Sequence, residues 1–338
     1  MNLESTLQAL CAIPAVSGFE PGAADAIHAL FAPYCDEFYS TPLGSHVGVR
    51  RCGKPNSPLL LIDGHLDQVG GHVTKIENGF VYYTGNLDRR VLPGAELIVH
   101  GRKPLRGIVC VLPTHQIDDP SKLPEQDAIA IDLGLTDDEA KSLVSPGDQV
   151  TYAPDFLKLA NDYICTPSID DRAAIAAGLY ALALVRGEDI GIDVALCASA
   201  GEEVGGAGAR TAAFSTMPDW AIALDVSFAS QPGADDEDML SDRCGATIAR
   251  GPHMNRVLTQ RLFDLADRDG IPYDIEVEAG STGTNTSSIR IAGDGIACAL
   301  IGLPMRGMHT SAETIHLSTI EAAGRLLAAF IRDAGGAQ

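Results

Sequence analysis

The amino-acid sequence predicts an α/β fold interrupted by a β-rich insertion. Short continuous apolar runs, such as 59–62, are typical of buried strands, and helix-length segments with capping residues lie between them. The segment 69–166 departs from this alternation, because short strands separated by Gly, Pro and Asn follow one another there with almost no helical pattern. We therefore predict one α/β unit formed by residues 1–68 and 167–338, with the β-rich segment inserted into it.

The composition indicates a globular protein that avoids polyanions. The chain has 338 residues, of which 46% are hydrophobic, and this is enough for a well-buried core. Its 24 basic and 45 acidic residues give a net charge of −21. This charge opposes binding to phosphate backbones and to anionic membranes, so we predict neither nucleic acid nor membrane as a partner.

Cysteine usage and the amino-terminal segment predict a cytoplasmic location. The eight cysteines are scattered, with no CxxC pair, which favours a reducing compartment. The first ten residues carry Glu4 and no basic region before an apolar run, so they lack the pattern of a signal peptide. The longest apolar run, 173–185, is too short for a membrane span.

The first half of the chain predicts helices, then strands. The elements predicted before the insertion are helices at 2–12 and 20–33 and strands at 36–41, 46–51 and 59–62. Ser17 and Glu20 have the spacing of a capping box at the second helix. The elements predicted inside the insertion are strands at 73–76, 80–83, 96–100, 107–112 and 128–132 and a helix at 136–144. Thr136 and Glu139 have capping-box spacing at the start of that helix.

After the insertion, helices and strands alternate, which predicts a sheet covered by helices. The predicted elements are helices at 173–186, 206–214, 254–268, 286–292 and 319–333 and strands at 192–199, 220–224, 273–278 and 296–303. Ser318 and Glu321 have capping-box spacing at the last helix. An acidic run at 235–238 is expected to attract cations and disfavour anions.

Two adjacent carboxylates, Glu202 and Glu203, follow the apolar strand predicted at 192–199 and precede a glycine-rich helix start. In open α/β sheets, the loops at the carboxyl ends of the strands converge on one crevice. One carboxylate can then bind a metal while the other moves a proton. For the dipeptide by itself, a solvated pair at a helix start remains the alternative.

Further candidates follow other predicted strands or begin a helix. His65 and Asp67 are two residues apart, so on an extended segment they point the same way, and the carboxylate can orient an imidazole that binds a metal. For this pair by itself, a structural histidine remains the alternative. Asp170 and Asp171 begin a helix. A single aspartate would be enough to cap this helix, so capping explains one of the two residues but not both.

Together these positions predict a metal site at the carboxyl edge of the sheet. The possible ligands are far apart in sequence: His65, Asp170, Glu203, Asp225 and His309. Two imidazoles and three carboxylates suit borderline divalent metals such as zinc or cobalt, and one shared carboxylate would let five ligands hold two ions. Glu202 is then left free to act as a base.

These motifs make the sequence similar to metallopeptidase family forty-two, the tetrahedral and glutamyl aminopeptidases of the dinuclear zinc exopeptidase clan. The resemblance covers nearly the whole chain. It is carried by the segments 43–44, 64–70, 90–94, 169–172, 202–205, 224–227 and 304–306, together with His309. It implies a zinc-exopeptidase-like three-layer sandwich with a mixed central sheet, and a β-rich insertion that assembles the subunits into a dodecameric tetrahedron.

The resemblance also implies a role for each candidate residue. It implies two divalent metal ions per subunit. One ion would be held by His65 and Asp225, the other by Glu203 and His309, and Asp170 would bridge them. Glu202 would be the general base, and Asp67 would be the partner of His65. The implied activity is the metal-dependent removal of amino-terminal residues from peptides with a free amino terminus.

Three residues depart from the family pattern. Gln68 stands where the family usually has glutamate, Asn285 where it has aspartate, and Gly307 where it has tyrosine. In the family these positions line or adjoin the substrate side, so the side-chain specificity of relatives is not carried over to this chain.

Two alternatives to an aminopeptidase are considered. One is an amidohydrolase of the same clan, a carboxypeptidase or a deacylase, which needs a cationic clamp for a substrate carboxylate, and basic residues are sparse around these motifs. The other is a non-catalytic scaffold, which the loss of a ligand or of Glu202 would have favoured.

Overall fold

The structure is a computed structural model that describes residues 1–117, 119, 121–234 and 239–336. The acidic run at 235–238 lies outside these residues. The helices are α1 (Leu3–Cys11), α2 (Ala24–Phe31), α3 (Asp137–Leu143), α4 (Ile169–Leu184), α5 (Ala207–Thr216), α6 (Arg256–Asp269), α7 (Thr286–Ile289) and α8 (Leu317–Ala334). The strands are β1 (Glu37–Ser40), β2 (His46–Arg50), β3 (Leu59–His65), β4 (Gly71–Glu77), β5 (Phe80–Gly85), β6 (Glu96–His100), β7 (Pro104–Cys110), β8 (Ala130–Asp132), β9 (Gln149–Tyr152), β10 (Leu157–Lys158), β11 (Tyr163–Cys165), β12 (Asp193–Ser199), β13 (Trp220–Phe228), β14 (Ala246–Arg250), β15 (Tyr273–Val277), β16 (Ala297–Arg306) and β17 (Thr314–His316).

The central strands of a large mixed sheet bring the candidate residues to one edge. The strand order is β1-β2-β12-β3-β13-β16-β17-β11-β10, and β14 and β15 extend the sheet from β16. The four strands β12, β3, β13 and β16 run parallel. Their register pairs Ser199 with His65, and Asp225 with Gly302. Because the carboxyl ends of parallel strands meet at the same edge, loops that follow these positions surround one crevice.

Helices cover both faces of this sheet, because side chains of the central strands alternate between two apolar cores. Leu60 and Ile62 of β3 pack into one core with residues of α1, α4, α6 and α8. Leu61, which lies between them, packs into the other core with α5 and α7. The predicted three-layer sandwich with a mixed central sheet is therefore confirmed. Among the described residues, no helix combines the length and the apolar character that a membrane span requires.

The β-rich insertion contains a closed barrel formed by β4, β5, β8, β7, β6 and β9. Fully buried side chains such as Val81 and Val99 fill its interior. Gly71 pairs with Val150, so the two ends of the barrel chain leave it side by side. The strands β10 and β11 also lie within 69–166, but they pair with each other and with β17 of the large sheet. The barrel thus ends before the predicted end of the insertion.

The predicted cap of the second helix is wrong. A short 3-10 turn, Glu20–Ala23, precedes α2, and α2 has no side-chain cap. The Ser17 hydroxyl instead donates a hydrogen bond to the Asp67 carboxylate at 2.7 Å. The capping-box spacing is present here, but Ser17 bonds to a residue that is distant in sequence and does not cap the helix.

Of the other two predicted caps, one is confirmed and one is wrong. At α3, the Thr136 hydroxyl accepts a hydrogen bond from the Glu139 N–H, and the Glu139 carboxylate accepts one from the Thr136 N–H. At α8, the cap is His316, whose Nδ1 accepts a hydrogen bond from the Ser318 N–H at 3.2 Å. Ser318 does not cap α8 because the helix begins at Leu317, and Ser318 already lies inside it.

Candidate active site

A cavity of about 610 Å³ opens at the carboxyl edge of the central strands. Its wall includes the six acidic and histidine residues His65, Asp170, Glu202, Glu203, Asp225 and His309. The turn after β12, the loop 281–288 and the apolar side chains of Phe228 and Met308 form much of the remaining wall. The chemistry of the cavity is therefore dominated by carboxylates and imidazoles.

Two groups of possible metal ligands meet in this cavity, and they share Asp170. His65, Asp170 and Asp225 each offer a ligand atom within 4.8 Å of the others. Asp170, Glu203 and His309 form a second group of the same kind. The fold thus brings together all five residues that the sequence analysis singled out as ligands, although they come from five separate parts of the chain.

The two carboxylate oxygens of Asp170 face different imidazoles. Oδ1 lies 2.9 Å from Nε2 of His65, and Oδ2 lies 3.1 Å from Nε2 of His309. The same His309 nitrogen lies 3.4 Å from Oε1 of Glu203. Burial raises the pKa of Asp170, but the hydrogen bonds from His309 and His65 outweigh it and hold this pKa below its ordinary value. Asp170 therefore stays ionised between the two groups.

The residues of the two groups fit divalent cations. Burial and the nearby charge of Asp170 raise the pKa of Glu203 to about 7. Burial also raises the pKa of Asp225 well above its ordinary value, and the charges of Asp170 and Glu202 raise it further. Oε1 of Glu203 is buried and has no hydrogen-bond partner among the described residues. Carboxylates crowded in this way are unfavourable unless a cation or a proton compensates their charge, and histidine and carboxylate donors suit such a cation.

Glu202 lies beside the ligand groups but belongs to neither of them. It lines the cavity, and its carboxylate forms no hydrogen bond with the residues that the structure describes. Burial raises its pKa above the ordinary value. A half-buried carboxylate of this kind is suited to accept and return a proton.

Asp67 positions the turn that carries the two glutamates. Its Oδ1 accepts a hydrogen bond from the Glu202 N–H at 2.9 Å, and its Oδ2 accepts from the Glu203 N–H at 3.1 Å and from Ser17. Nδ1 of His65 lies 2.9 Å from the main-chain oxygen of Asp67 and 3.5 Å from its carboxylate. The main-chain oxygen is thus the nearer partner of this imidazole, which differs from the expected carboxylate contact.

Glu313 is a functional candidate that sequence reasoning missed. It is almost fully buried, and its two carboxylate oxygens accept hydrogen bonds from the main-chain N–H groups of two possible ligands. The hydrogen bond donated by the His309 N–H is 2.9 Å long, and the one donated by the Asp170 N–H is 3.1 Å long. Glu313 therefore ties together two segments that are distant in sequence. Its closeness to His309 in sequence was the available signal.

Glu20 has a similar role at the turn after β12. Its carboxylate accepts hydrogen bonds from the Gly201 N–H at 2.9 Å and from the Gly18 N–H at 2.6 Å. Glu20 thereby links the amino-terminal segment to the start of the turn in which Glu202 lies. Its spacing from Ser17 indicated a helix cap, so the sequence held no signal for this long-range contact.

Two of the residues that depart from the family pattern are buried behind the cavity wall. Gln68 accepts hydrogen bonds from Arg172 at 3.2 Å and from the Ala15 N–H at 3.4 Å. Asn285 donates to the carboxylate of Asp63 at 2.9 Å. Neither side chain lines the cavity, but Asn285 directly follows Thr284, which does.

The sequence is similar to those of known aminopeptidases. The family model described as M42 glutamyl aminopeptidase matches residues 44–326. A lysyl aminopeptidase from Pyrococcus furiosus is 29% identical over 330 residues, which are 95% of this chain and 94% of that protein.

Solved structures agree with this sequence match. An aminopeptidase from the archaeon Desulfurococcus kamchatkensis superimposes with a TM-score of 0.90 at 27% identity, covering 98% of this chain and 94% of that one. The TET1 peptidase of Pyrococcus horikoshii shares the fold, with a TM-score of 0.85 at 23% identity and coverage of 98% of this chain and 99% of that one.

Proposed function

The chain belongs to the M42 glutamyl aminopeptidase family. We propose that these residues form the active site of a metal-dependent aminopeptidase. It removes amino-terminal residues from peptides by hydrolysis, with two divalent cations bound in each subunit. The observation that carries the proposal is the pair of ligand groups that share Asp170 beside Glu202.

In this proposal each cation has its own histidine. His65 and Asp225 would hold one cation and Glu203 and His309 the other, and Asp170, which belongs to both groups, would be shared between them. Zinc or cobalt suits the mixture of imidazole and carboxylate donors, and neither group contains a thiolate.

The protein's own groups hold the substrate and move the proton. When bound, the cations would lower the pKa of a water towards neutrality and polarise the scissile carbonyl group. Glu202 takes the proton of the attacking water and passes it to the leaving amine. The hydrogen bond from its N–H to Asp67 keeps the carboxylate at the cavity wall. The acidic wall holds the free amino group of the peptide, which is cationic at neutral pH.

Dialysis against a strong chelator is expected to abolish the hydrolysis of dipeptides with a free amino terminus, and added zinc or cobalt is expected to restore it. The reason is that the carboxylates and imidazoles of the cavity are suited to hold the cations that would polarise the peptide carbonyl group. Undiminished activity in metal-free protein would refute the proposal. The matched control substrate is the same dipeptide with an acetylated amino terminus. Its faster cleavage by the metal-loaded enzyme would favour the deacylase alternative.

The wall of the cavity also favours one class of amino-terminal side chain. A recess of about 70 Å³ shares Asp225, Phe228 and Thr282 with the main cavity, and it adds Glu276 and Glu278. Among the described lining residues of both spaces there is no Lys or Arg. An anionic side chain would therefore meet carboxylates without a compensating cation, and the clamp that a carboxypeptidase needs is missing as well.

We expect lysyl and leucyl substrates to be cleaved with a higher kcat/KM than glutamyl substrates at low salt, and the gap to narrow as salt rises. Glu278→Gln should reduce the lysyl preference because it removes one charge from the recess. Glu321→Gln, at an exposed position of α8 that does not line the recess, removes the same charge and should leave the preference unchanged. Faster cleavage of glutamyl than of both other substrates would contradict the expectation.

We also propose a division of labour between the two parts of the chain. Residues 1–68 and 167–338 form the catalytic unit, and the insertion 69–166 mediates assembly into a homo-oligomer, a dodecamer in the simplest case. Supporting this, the TET1 peptidase of Pyrococcus horikoshii is described as a tetrahedron or a large octahedral shell. The barrel has its own closed core, and none of its described residues lines the active-site cavity.

Replacing the barrel residues 72–149 with a short flexible linker is expected to leave smaller particles in solution, as measured by light scattering. A short linker is sufficient because Gly71 and Val150 are paired neighbours, and β10 and β11 remain to complete the large sheet. Circular dichroism serves as the folding control. A folded variant that keeps the full particle mass would show that the catalytic unit assembles without the barrel.

A further inference from the structure

A second cavity, of about 290 Å³, lies at the amino-terminal end of α6. It shares no lining residue with the active-site cavity, and its lining consists of Arg250, Gly251, Met254, Arg256, Thr259 and Gln260. Two guanidinium groups, a hydroxyl and a side-chain amide are the polar groups of its described wall, and no carboxylate accompanies them. The described wall of this cavity is therefore positively charged, although the chain as a whole has a net charge of −21.

The hydroxyl of Thr259 indicates that the cavity receives a ligand. Thr259 is only 5% exposed, and its Oγ1 has no hydrogen-bond partner among the described residues. A buried polar group without a partner is unfavourable, and native structures rarely retain one without a reason. An acceptor atom placed in the cavity would supply the missing hydrogen bond.

The two guanidinium groups are available to the same acceptor. The ion pairs made by arginines of α6 involve Arg261 and Arg268, and neither Arg250 nor Arg256 forms an ion pair with a described residue. The Arg250 guanidinium lies 4.3 Å from the centre of the Phe263 ring, which holds it without neutralising its charge.

The helix adds a favourable field to these side chains. Arg256 is the first residue of α6, a helix of 14 residues, and the amino-terminal end of a helix attracts anions. The Asn255 side chain already accepts the N–H groups of Val257 and Leu258. The donors toward a ligand are therefore mainly the side chains, and the helix contributes through its dipole.

We propose that this cavity binds a phosphate group, either as the free ion or as a monoester of a small molecule. The planar guanidinium fork matches phosphate oxygens in a bidentate manner, and the Thr259 hydroxyl and Gln260 amide supply donors to the remaining oxygens. The volume, about 290 Å³, is at the lower end of small-molecule sites and leaves room for the alcohol part of an ester.

The test is isothermal titration calorimetry of the full-length, metal-loaded protein with inorganic phosphate and with glycerol phosphate, at constant ionic strength. Arg256→Gln and Thr259→Val are each expected to weaken binding at least tenfold. The valine variant should keep its melting temperature without ligand, because the lost hydroxyl has no partner among the described residues. Arg210→Gln, at an exposed position of α5, removes the same charge as Arg256→Gln and should leave the affinity within twofold of the unchanged protein.

The outcomes separate the possible sources and the possible failures. Tighter binding of glycerol phosphate identifies a monoester, and tighter binding of inorganic phosphate identifies the free ion, and both support the site. Equal affinities in the unchanged protein and in both cavity variants would place the phosphate elsewhere, including the metal centre, and overturn the proposal. Absence of phosphate binding, or acetate bound as tightly as phosphate, would also overturn it.

Discussion

Replacing Glu202 with glutamine is expected to lower kcat by about 10²-fold or more while the protein keeps its full metal content. The amide has the size and polarity of the carboxylate but cannot take a proton from water. Asp67 binds the main-chain N–H of residue 202, and the substitution leaves that hydrogen bond intact. KM should therefore change little. The measurement is kcat and KM for one free-amino substrate, beside elemental analysis of the same sample.

The neighbouring change, Glu203→Gln, is expected to act through the metal instead. Glu203 belongs to the ligand group with Asp170 and His309, so its amide should hold less metal. Part of the lost rate should return when metal is supplied in excess, because a weakened site can still be filled by mass action. The same two measurements thus distinguish two residues that are adjacent in sequence and receive the same substitution.

Two other outcomes can be told apart, and a control variant accompanies them. If Glu202→Gln loses its metal while Glu203→Gln keeps both ions, the two roles are reversed. Small and similar effects in both variants would mean that the pair is a solvated helix start without chemistry. Glu321→Gln, at an exposed position of α8, is the control for the loss of one negative charge and should match the unchanged enzyme.

Replacing Arg172 with methionine is expected to lower the free energy of unfolding by at least about 3 kcal/mol, because three buried acceptors would each lose a partner at about 1 kcal/mol or more. The fully buried guanidinium donates to the main-chain oxygens of Leu10 and Ile13 at 2.6 and 3.1 Å and to Gln68 at 3.2 Å. These contacts join α4 to the end of α1 and to the loop after β3. Denaturant unfolding at one fixed protein concentration measures the change.

Two further variants test the reason for this loss. Arg172→Lys keeps the charge but not the planar fork, so it should lie between the methionine variant and the unchanged protein. Arg210→Gln, at an exposed position, should stay within about 0.5 kcal/mol of the unchanged protein. If methionine is tolerated at position 172 without measurable loss, packing rather than hydrogen bonding stabilises this junction.

The positions of the possible ligands could be predicted because each of them follows a predicted strand or begins a helix. An apolar run ends just before His65, another ends before Glu203, and the strand at 220–224 leads into Asp225. The rule that carboxyl ends of parallel strands meet at one edge then places residues of distant segments in one cavity. Periodicity and turn chemistry are local signals, and here local signals were sufficient.

The contacts that hold this cavity in shape could not be predicted in the same way. Ser17 and Glu20 have the spacing of a helix cap, and nothing local shows that their side chains bond to Asp67 and Gly201 instead. Glu313 likewise bonds to a main-chain N–H that only the completed sheet brings near. The tertiary structure determines which donors a buried carboxylate contacts, and the spacing of residues in the sequence does not predict them.

Several short strands were not predicted, and β14 is an example. The strand β14, Ala246–Arg250, pairs with β16 over only two residues and otherwise lies beside β15, near the edge of the sheet. Although Gly245 and Gly251 flank it, a run of only five residues does not by its hydrophobic pattern distinguish a strand from a loop.

The hydrogen bonds around the active-site cavity close very long loops of chain. Asp67 and Glu202 are 135 positions apart, Asp170 and Glu313 are 143 apart, and Glu20 and Gly201 are 181 apart. Such contacts form only after the entropy of closing those loops has been lost, so hairpins and helices fold before them. The cavity therefore assembles only together with the long-range strand pairs of the large sheet, such as Ser199 with His65, and it loses its geometry when either terminal segment opens. A subunit can thus keep most of its secondary structure and still be inactive.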